Sequence, residues 1–281
     1  MKKTSLFLLA LVLAFSSCTE YNKILKEKDM NKKFEAAVKY YQEGECHKAL
    51  PLLEELQGPT RGSSISEDVQ YYFAMTNFCI KDYVMAGYFL KSFAKNYPRH
   101  AKAEECLFKS AYCSFQLSPD YTLDQTDTHQ AINDFQYFLD KYPTSVLKDS
   151  ANVLVGALNH KLEKKDFENA KLFVKTQRYK AGSIALKQFI QKYPTSQYRE
   201  EVQYLIVKSN YLLAEGSIES KKLERFRATI ESYVNFANAY PESEWLKSAQ
   251  DFFDKSAKQI EKLTHWLLWV SLKLPMRKRV L

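Results

Sequence analysis

Phe93-Ala-Lys-Asn-Tyr97-Pro98 decides how this chain folds, because the pattern recurs. Phe138-Leu-Asp-Lys-Tyr142-Pro143, Phe189-Ile-Gln-Lys-Tyr193-Pro194 and Phe236-Ala-Asn-Ala-Tyr240-Pro241 repeat it, at steps of 45, 51 and 47 residues. Periods of that size mark stacked repeats. Phe and Tyr stand four apart and share one helical face. The Pro disfavours helix at the Tyr before it and cannot donate to the ladder itself. Each copy is therefore read as the buried end of a helix together with its stop signal.

The pattern deepens upstream of each Pro. Eight residues earlier stand Leu90, Phe135, Leu186 and Tyr233; twelve earlier stand Ala86, Ala131, Gly182 and Thr229, with Ala181 and Ala228 beside the last two. A small residue there admits a second helix at close range, and the large ones fill the seam. This is the second helix of a helix-turn-helix unit and resembles the tetratricopeptide repeat, as does Ala74 in the first helix of its unit. The expected fold is all-α: a right-handed superhelix of about five tetratricopeptide-like repeats plus a C-terminal capping helix.

The ends are read separately. Lys2 and Lys3 followed by the apolar run Leu6 to Phe15 form a signal segment, 1–17, too short to span a bilayer. Phe15-Ser16-Ser17-Cys18 resembles a bacterial lipobox, which makes Cys18 the lipidated N-terminus. Residues 18–31 read as a lipidated tether. No acidic run follows Cys18 at Thr19-Glu20-Tyr21-Asn22, which favours the periplasmic face of the outer membrane. The repeat domain, 32–263, divides into units of about 33–60, 66–98, 101–143, 145–194 and 196–241, with a final helix at 243–263. No Gly/Ser-rich linker divides it, so one continuous array is expected. Ser145, Ser196 and Ser243 each follow a Tyr-Pro-x turn and suit the cap of the next helix. Residues 264–281, with Trp266-Leu-Leu-Trp-Val270 and Met276-Arg-Lys-Arg-Val-Leu281, fit no repeat. They admit a bilayer-surface role, a partner contact, or no role at all.

Charge and cysteine usage narrow the function class. The chain carries +8, but Lys2 and Lys3 leave with the signal, and Lys273, Arg277, Lys278 and Arg279 crowd the tail. That leaves the body near +2 and without the concentrated basic face of a nucleic-acid binder. Cys46, Cys79, Cys106 and Cys113 form no Cys-x-x-Cys pair and read as small core residues.

Catalytic signatures are missing: the chain has no HExxH, GxSxG, phosphate loop or dinucleotide fingerprint. His47, His100, His129, His160 and His265 are scattered. Asp120, Asp124, Asp127 and His129 lie close together, but an EF-hand needs a central Gly and a closing Glu, so Asp127 or Thr128 is read as a helix N-cap. The expectation is a protein that is not an enzyme and takes no metal, cofactor or small-molecule substrate.

The order of features then matches a family. A lipobox Cys, a short segment, five helical repeats and a closing helix resemble the BamD family of outer-membrane assembly lipoproteins. The resemblance rests on Tyr41-Gln-Glu-Gly44-Glu-Cys-His-Lys-Ala49, on Asp124-Gln-Thr-Asp-Thr-His-Gln-Ala131-Ile-Asn-Asp-Phe135 followed by Tyr142-Pro-Thr-Ser145, and on the long unit Ser145 to Pro194. It covers roughly Lys32 to Leu263.

The resemblance implies a non-enzymatic role in the machine that inserts β-barrel proteins into the outer membrane. The N-terminal repeats would receive the C-terminal strand of an unfolded client, and the C-terminal repeats would dock on a BamA-like insertase with tandem periplasmic domains. Tyr40, Tyr41, Tyr71, Tyr72, Asn77 and Phe78 are the client candidates, each with core packing as its plainer explanation. Lys180, Lys187, Arg199 and Arg225 are the docking candidates. Ala185 stands where the family carries a basic residue. A repeat-containing lipoprotein adaptor for other envelope complexes, such as those of peptidoglycan synthesis, is the alternative; uneven repeats weigh against it.

Overall fold

The computed structural model describes residues 20–273. The expected signal segment 1–17, the expected lipidation site Cys18 and residues 274–281 lie outside them. Among the described residues the chain is twelve helices and no strand. They are α1 (20–25), α2 (Met30–Gln42), α3 (Cys46–Leu56), α4 (Ser66–Cys79), α5 (Tyr83–Asn96) and α6 (Ala103–Leu117). There follow α7 (Thr126–Lys141), α8 (Lys148–Lys175), α9 (Tyr179–Lys192), α10 (Arg199–Glu215), α11 (Glu219–Ala239) and α12 (Leu246–Lys273).

The recurring motif behaves as its chemistry dictates. Helices α5, α7, α9 and α11 each end one residue before the motif Tyr, whose φ lies between −122° and −138°, out of the helical region. Its N–H still closes a last bond to the motif Phe carbonyl, at 2.8–2.9 Å in all four copies. The Phe ring is buried every time and contacts the Tyr ring at centroid distances of 5.0–5.8 Å. Ala86, Ala131, Gly182 and Thr229 are all buried. At Gly182 the approach is so close that a Cβ would stand 3.1 Å from Val174 Cγ2. Ser145, Ser196 and Ser243 accept from the N–H two residues on (Leu147, Tyr198, Trp245) in the turns ahead of α8, α10 and α12. Ser196 is not the cap expected of it, since the N-cap of α10 is Tyr198, with no side-chain bond.

The chain forms two compact units, Met1–His160 and Lys161–Leu281. The boundary falls inside α8, a continuous helix, so no linker composition marks it and the sequence reads as undivided. In the first unit consecutive helices α2 to α7 pack pairwise. Its main core joins Leu90, Phe93, Cys106, Phe135 and Phe138 to Ala151 and Leu158 of α8. Asp134 is held between helices, accepting from Lys91 Nζ and Ser114 Oγ, each at 2.7 Å. In the second unit α9 packs on α10, α10 on α11 and α11 on α12. Phe167 and Val174 of α8 join Leu186, Phe189 and Val202 there. Adjacent helix pairs in this order make a tetratricopeptide-like array.

Several expectations are corrected. The segment read as a tether is helical at 20–25, and Tyr21, Ile24 and Leu25 pack on Ala37, Ala49 and Leu52. Its polar residues hid three apolar ones at helical spacing. The final helix does not stop at Leu263 but runs to Lys273, since nothing in that stretch breaks it. Cys46 and Cys79, read as small core residues, form a disulfide, and Cys79 is exposed; Cys106 and Cys113 are free and buried. Before α7 the cap is neither Asp127 nor Thr128: the N-cap residue is Gln125, with no side-chain cap bond, and Asp124 Oδ1 accepts from Thr126 N at 2.9 Å in the turn ahead of it. Thr128 instead bonds Gln125 and Ser118, and Gln125 ties the loop by donating to the carbonyls of Asp120 and Leu123.

Candidate functional site

Helices α2, α4 and α6 of the first unit carry a row made of two groups of aromatic rings, bridged by the charged residues Lys102, Glu105 and Lys109 of α6. Tyr41 meets Tyr72 edge-on at 5.5 Å, and Tyr72 meets Tyr71 at 5.2 Å. Phe78 contacts Tyr112 of α6 at 6.0 Å, and Tyr112 stacks on Phe115. Tyr41, Tyr71, Tyr72, Phe78 and Tyr112 are all half-buried, so each is anchored in the unit and still offers part of its ring. Aromatic pairs in these offset geometries hold shape beyond their burial.

Charges are set into that row by α6. Glu105 lies between Lys102 at 3.4 Å and Lys109 at 3.6 Å. Lys109 Nζ sits 4.8 Å above the Phe78 ring, and Lys102 Nζ 5.9 Å from that of Tyr71, both cation–π distances. Burial first, then the Glu105 charge, pushes the Tyr41 and Tyr71 phenols above their ordinary pKa. Both stay neutral and able to donate at physiological pH. The surface thus combines apolar ring faces, neutral phenols and one carboxylate flanked by two ammonium groups.

The six client candidates separate. Tyr41, Tyr71, Tyr72 and Phe78 share this row. Tyr40 does not: it faces Tyr21 of α1 at 5.6 Å and has Lys48 Nζ over its ring. Asn77 is buried, and its side-chain N–H bonds the carbonyl of Phe73 in its own helix, so it offers nothing outward. Sequence reasoning missed Glu105, Lys109 and Tyr112, because a contact between α4 and α6 leaves no spacing signal along the chain.

In the second unit the four docking candidates also divide. Lys180 is exposed on the rim of a cleft of about 640 Å³ whose walls are Tyr179, Ile184, Leu212 and Leu213, with Arg178 beside it. Lys187 is exposed at a second cleft of about 230 Å³, opposite Glu231 and lined by the amides Gln203, Asn210 and Asn235. Behind it, Ser183 donates to Asn210 Oδ1 at 2.7 Å, and Asn210 Nδ2 donates to Ser232 at 3.2 Å, joining α9, α10 and α11. Arg199 and Arg225 are half-buried and spent internally, on the Pro194 carbonyl and on Ser217 Oγ. Ala185 packs into the core around Phe189.

Among the described residues no group of three or more His, Cys, Asp or Glu converges to hold a metal ion, and no helix is long and apolar enough to cross a membrane.

The fold places the chain in the class of tetratricopeptide-like helical-repeat proteins. More particularly, it belongs to the YfiO outer membrane lipoprotein family, whose model matches residues 26–184 and 173–260. It is also similar to the outer membrane protein assembly factor BamD of Pasteurella multocida (strain Pm70). The two are 19% identical over 205 residues, covering 69% of this chain and 78% of that protein. The family resemblance drawn from the repeats and the lipobox is borne out.

Proposed function

We propose that this protein is a component of the β-barrel assembly machinery, anchored through an acylated Cys18 to the periplasmic face of the outer membrane. In this reading it acts by binding, not catalysis. The first unit receives unfolded outer-membrane proteins, and the second docks on the barrel insertase.

The observation that carries the client role is the aromatic row Tyr41–Tyr72–Tyr71 and Phe78–Tyr112, with Glu105 held between Lys102 and Lys109. An extended strand rich in aromatics presents ring faces together with free backbone N–H and C=O groups. Half-buried rings supply apolar contact, while neutral phenols and the ionised trio supply partners for the backbone. Lys180 and Lys187 are the docking anchors; Arg199 and Arg225 shape the turns beside them.

Two measurements test the reading. Purification of the lipidated protein from outer membranes, with partners identified by mass spectrometry, should recover a large β-barrel protein with tandem periplasmic domains in near-equal amount. Recovery of peptidoglycan synthases without that barrel would promote the adaptor reading instead. Binding of a labelled peptide copying a C-terminal barrel strand should weaken about tenfold or more for Tyr41→Ala or Tyr71→Ala, as for an interface anchor. Unchanged affinity in folded variants would remove the aromatic row from the client site.

A further inference from the structure

The first helix changes what the lipid anchor does. Helix α1 lies on α2 and α3 and is fixed at both ends. At its start, Tyr21 packs edge-on against Tyr40, and its hydroxyl donates to the Lys48 carbonyl at 3.1 Å, beside the α2–α3 turn. At its end, the buried Lys33 donates to the Leu25 carbonyl at 3.1 Å while pairing with Glu55 at 2.8 Å. Ile24 and Leu25 join the core of the first repeat. The chain therefore enters the fold at the α2–α3 turn, and only Thr19 separates Cys18 from residue 20, the first described residue of α1. Two residue steps span at most about 7 Å.

We propose that α1 is a strap that seats one end of the first unit directly on the lipid surface. That end carries the α2–α3 turn around Gly44 and the α4–α5 turn around Lys81, which the Cys46–Cys79 disulfide ties together. The opposite ends of the same helices, at Gln57 and Lys95, then point away from the bilayer. Charge is not what orients the unit, since the seated end is mixed: Lys48 pairs with Glu45, and Asp82 stands beside Lys81. The short covalent path and the docked strap do so. Tyr41 and Phe78 lie in the last turns of α2 and α4, so the strap also places that end of the aromatic row next to the membrane. The proposal rests on the lipid anchoring of Cys18.

The test uses the full acylated protein in phosphatidylethanolamine/phosphatidylglycerol vesicles carrying an acceptor-labelled lipid. A donor dye is placed at Glu43→Cys or at Lys95→Cys; Cys106 and Cys113 are buried and do not compete. A helix of 14 residues is about 21 Å long, so transfer should be strong from position 43 and several-fold weaker from position 95. Insertion of ten Gly/Ser residues between Thr19 and Glu20 leaves α1 docked and the fold untouched, and should abolish the difference. Tyr21→Ala with Ile24→Ala should abolish it as well, with folding followed by circular dichroism. Equal transfer from both positions in vesicle-bound wild type overturns the strap. Failure of the wild type to float with vesicles overturns the anchor itself.

Discussion

Cys46, the first residue of α3, is bonded to Cys79, the last residue of α4. The bridge staples the turn of the first repeat to that of the second, 33 residues on, beside Tyr41 and Phe78. Closing a loop of that length restricts the unfolded chain by about 3–4 kcal/mol in the chain-entropy account. The double variant Cys46→Ser, Cys79→Ser should therefore melt well below the wild type while keeping its helix content. Thermal unfolding with and without a reductant checks this: the reductant should lower the wild-type midpoint and leave the variant unmoved.

Phe138 and Tyr88 are both large aromatics on second helices, with opposite surroundings. Phe138 is fully buried against Phe108 and Tyr142, whereas Tyr88 is 68% exposed. Phe138→Ala should cost about 3–5 kcal/mol through lost burial and the cavity left behind. Tyr88→Ala should stay within about 0.5 kcal/mol of wild type. Urea titrations of the two variants give the comparison directly.

Gly182 is set by the approach of α8 and α9. A methyl group there meets Val174 Cγ2 at 3.1 Å and the Val174 nitrogen at 3.4 Å. Gly182→Ala should cost about 1–3 kcal/mol, as overpacking does. Val174→Ala in the same chain should recover part of that loss, a coupling that a double-mutant cycle measures.

The tyrosines make stability depend on alkaline pH. Burial raises Tyr41 and Tyr71 with the help of Glu105; burial and the bond to Glu215 raise Tyr211 to about 12. An unfolded phenol ionises near pH 10. The folded state therefore holds these protons more tightly, and the contribution is complete below about pH 10 and lost as pH climbs through the folded values. Tyrosinate absorbance should show a late-titrating group of phenols, and the melting temperature should fall from about pH 10 upward. A single titration step at the free-phenol value would contradict the burial of these rings.

Much of the architecture was written locally. Phe, Tyr and Pro at fixed offsets specify a buried face and a stop within six residues, and backbone sterics enforce them without help from elsewhere. Asn77 and Tyr40 show where local reading ends. Both lie on helices whose existence is evident, but which face turns inward depends on a neighbour far along the chain. Asn77 folds back on Phe73, and Tyr40 is claimed by Tyr21.

The sequence by itself determined the repeat and the four Tyr-Pro helix ends, because each rests on interactions among residues a few positions apart, and the family followed from their order. Tertiary structure alone decided that Cys46 meets Cys79, that α1 docks instead of trailing, and that Glu105, Lys109 and Tyr112 join the aromatic row. Those contacts depend on how successive helices are rotated against one another. That rotation is fixed by the packing of whole faces, which no spacing along a single helix records.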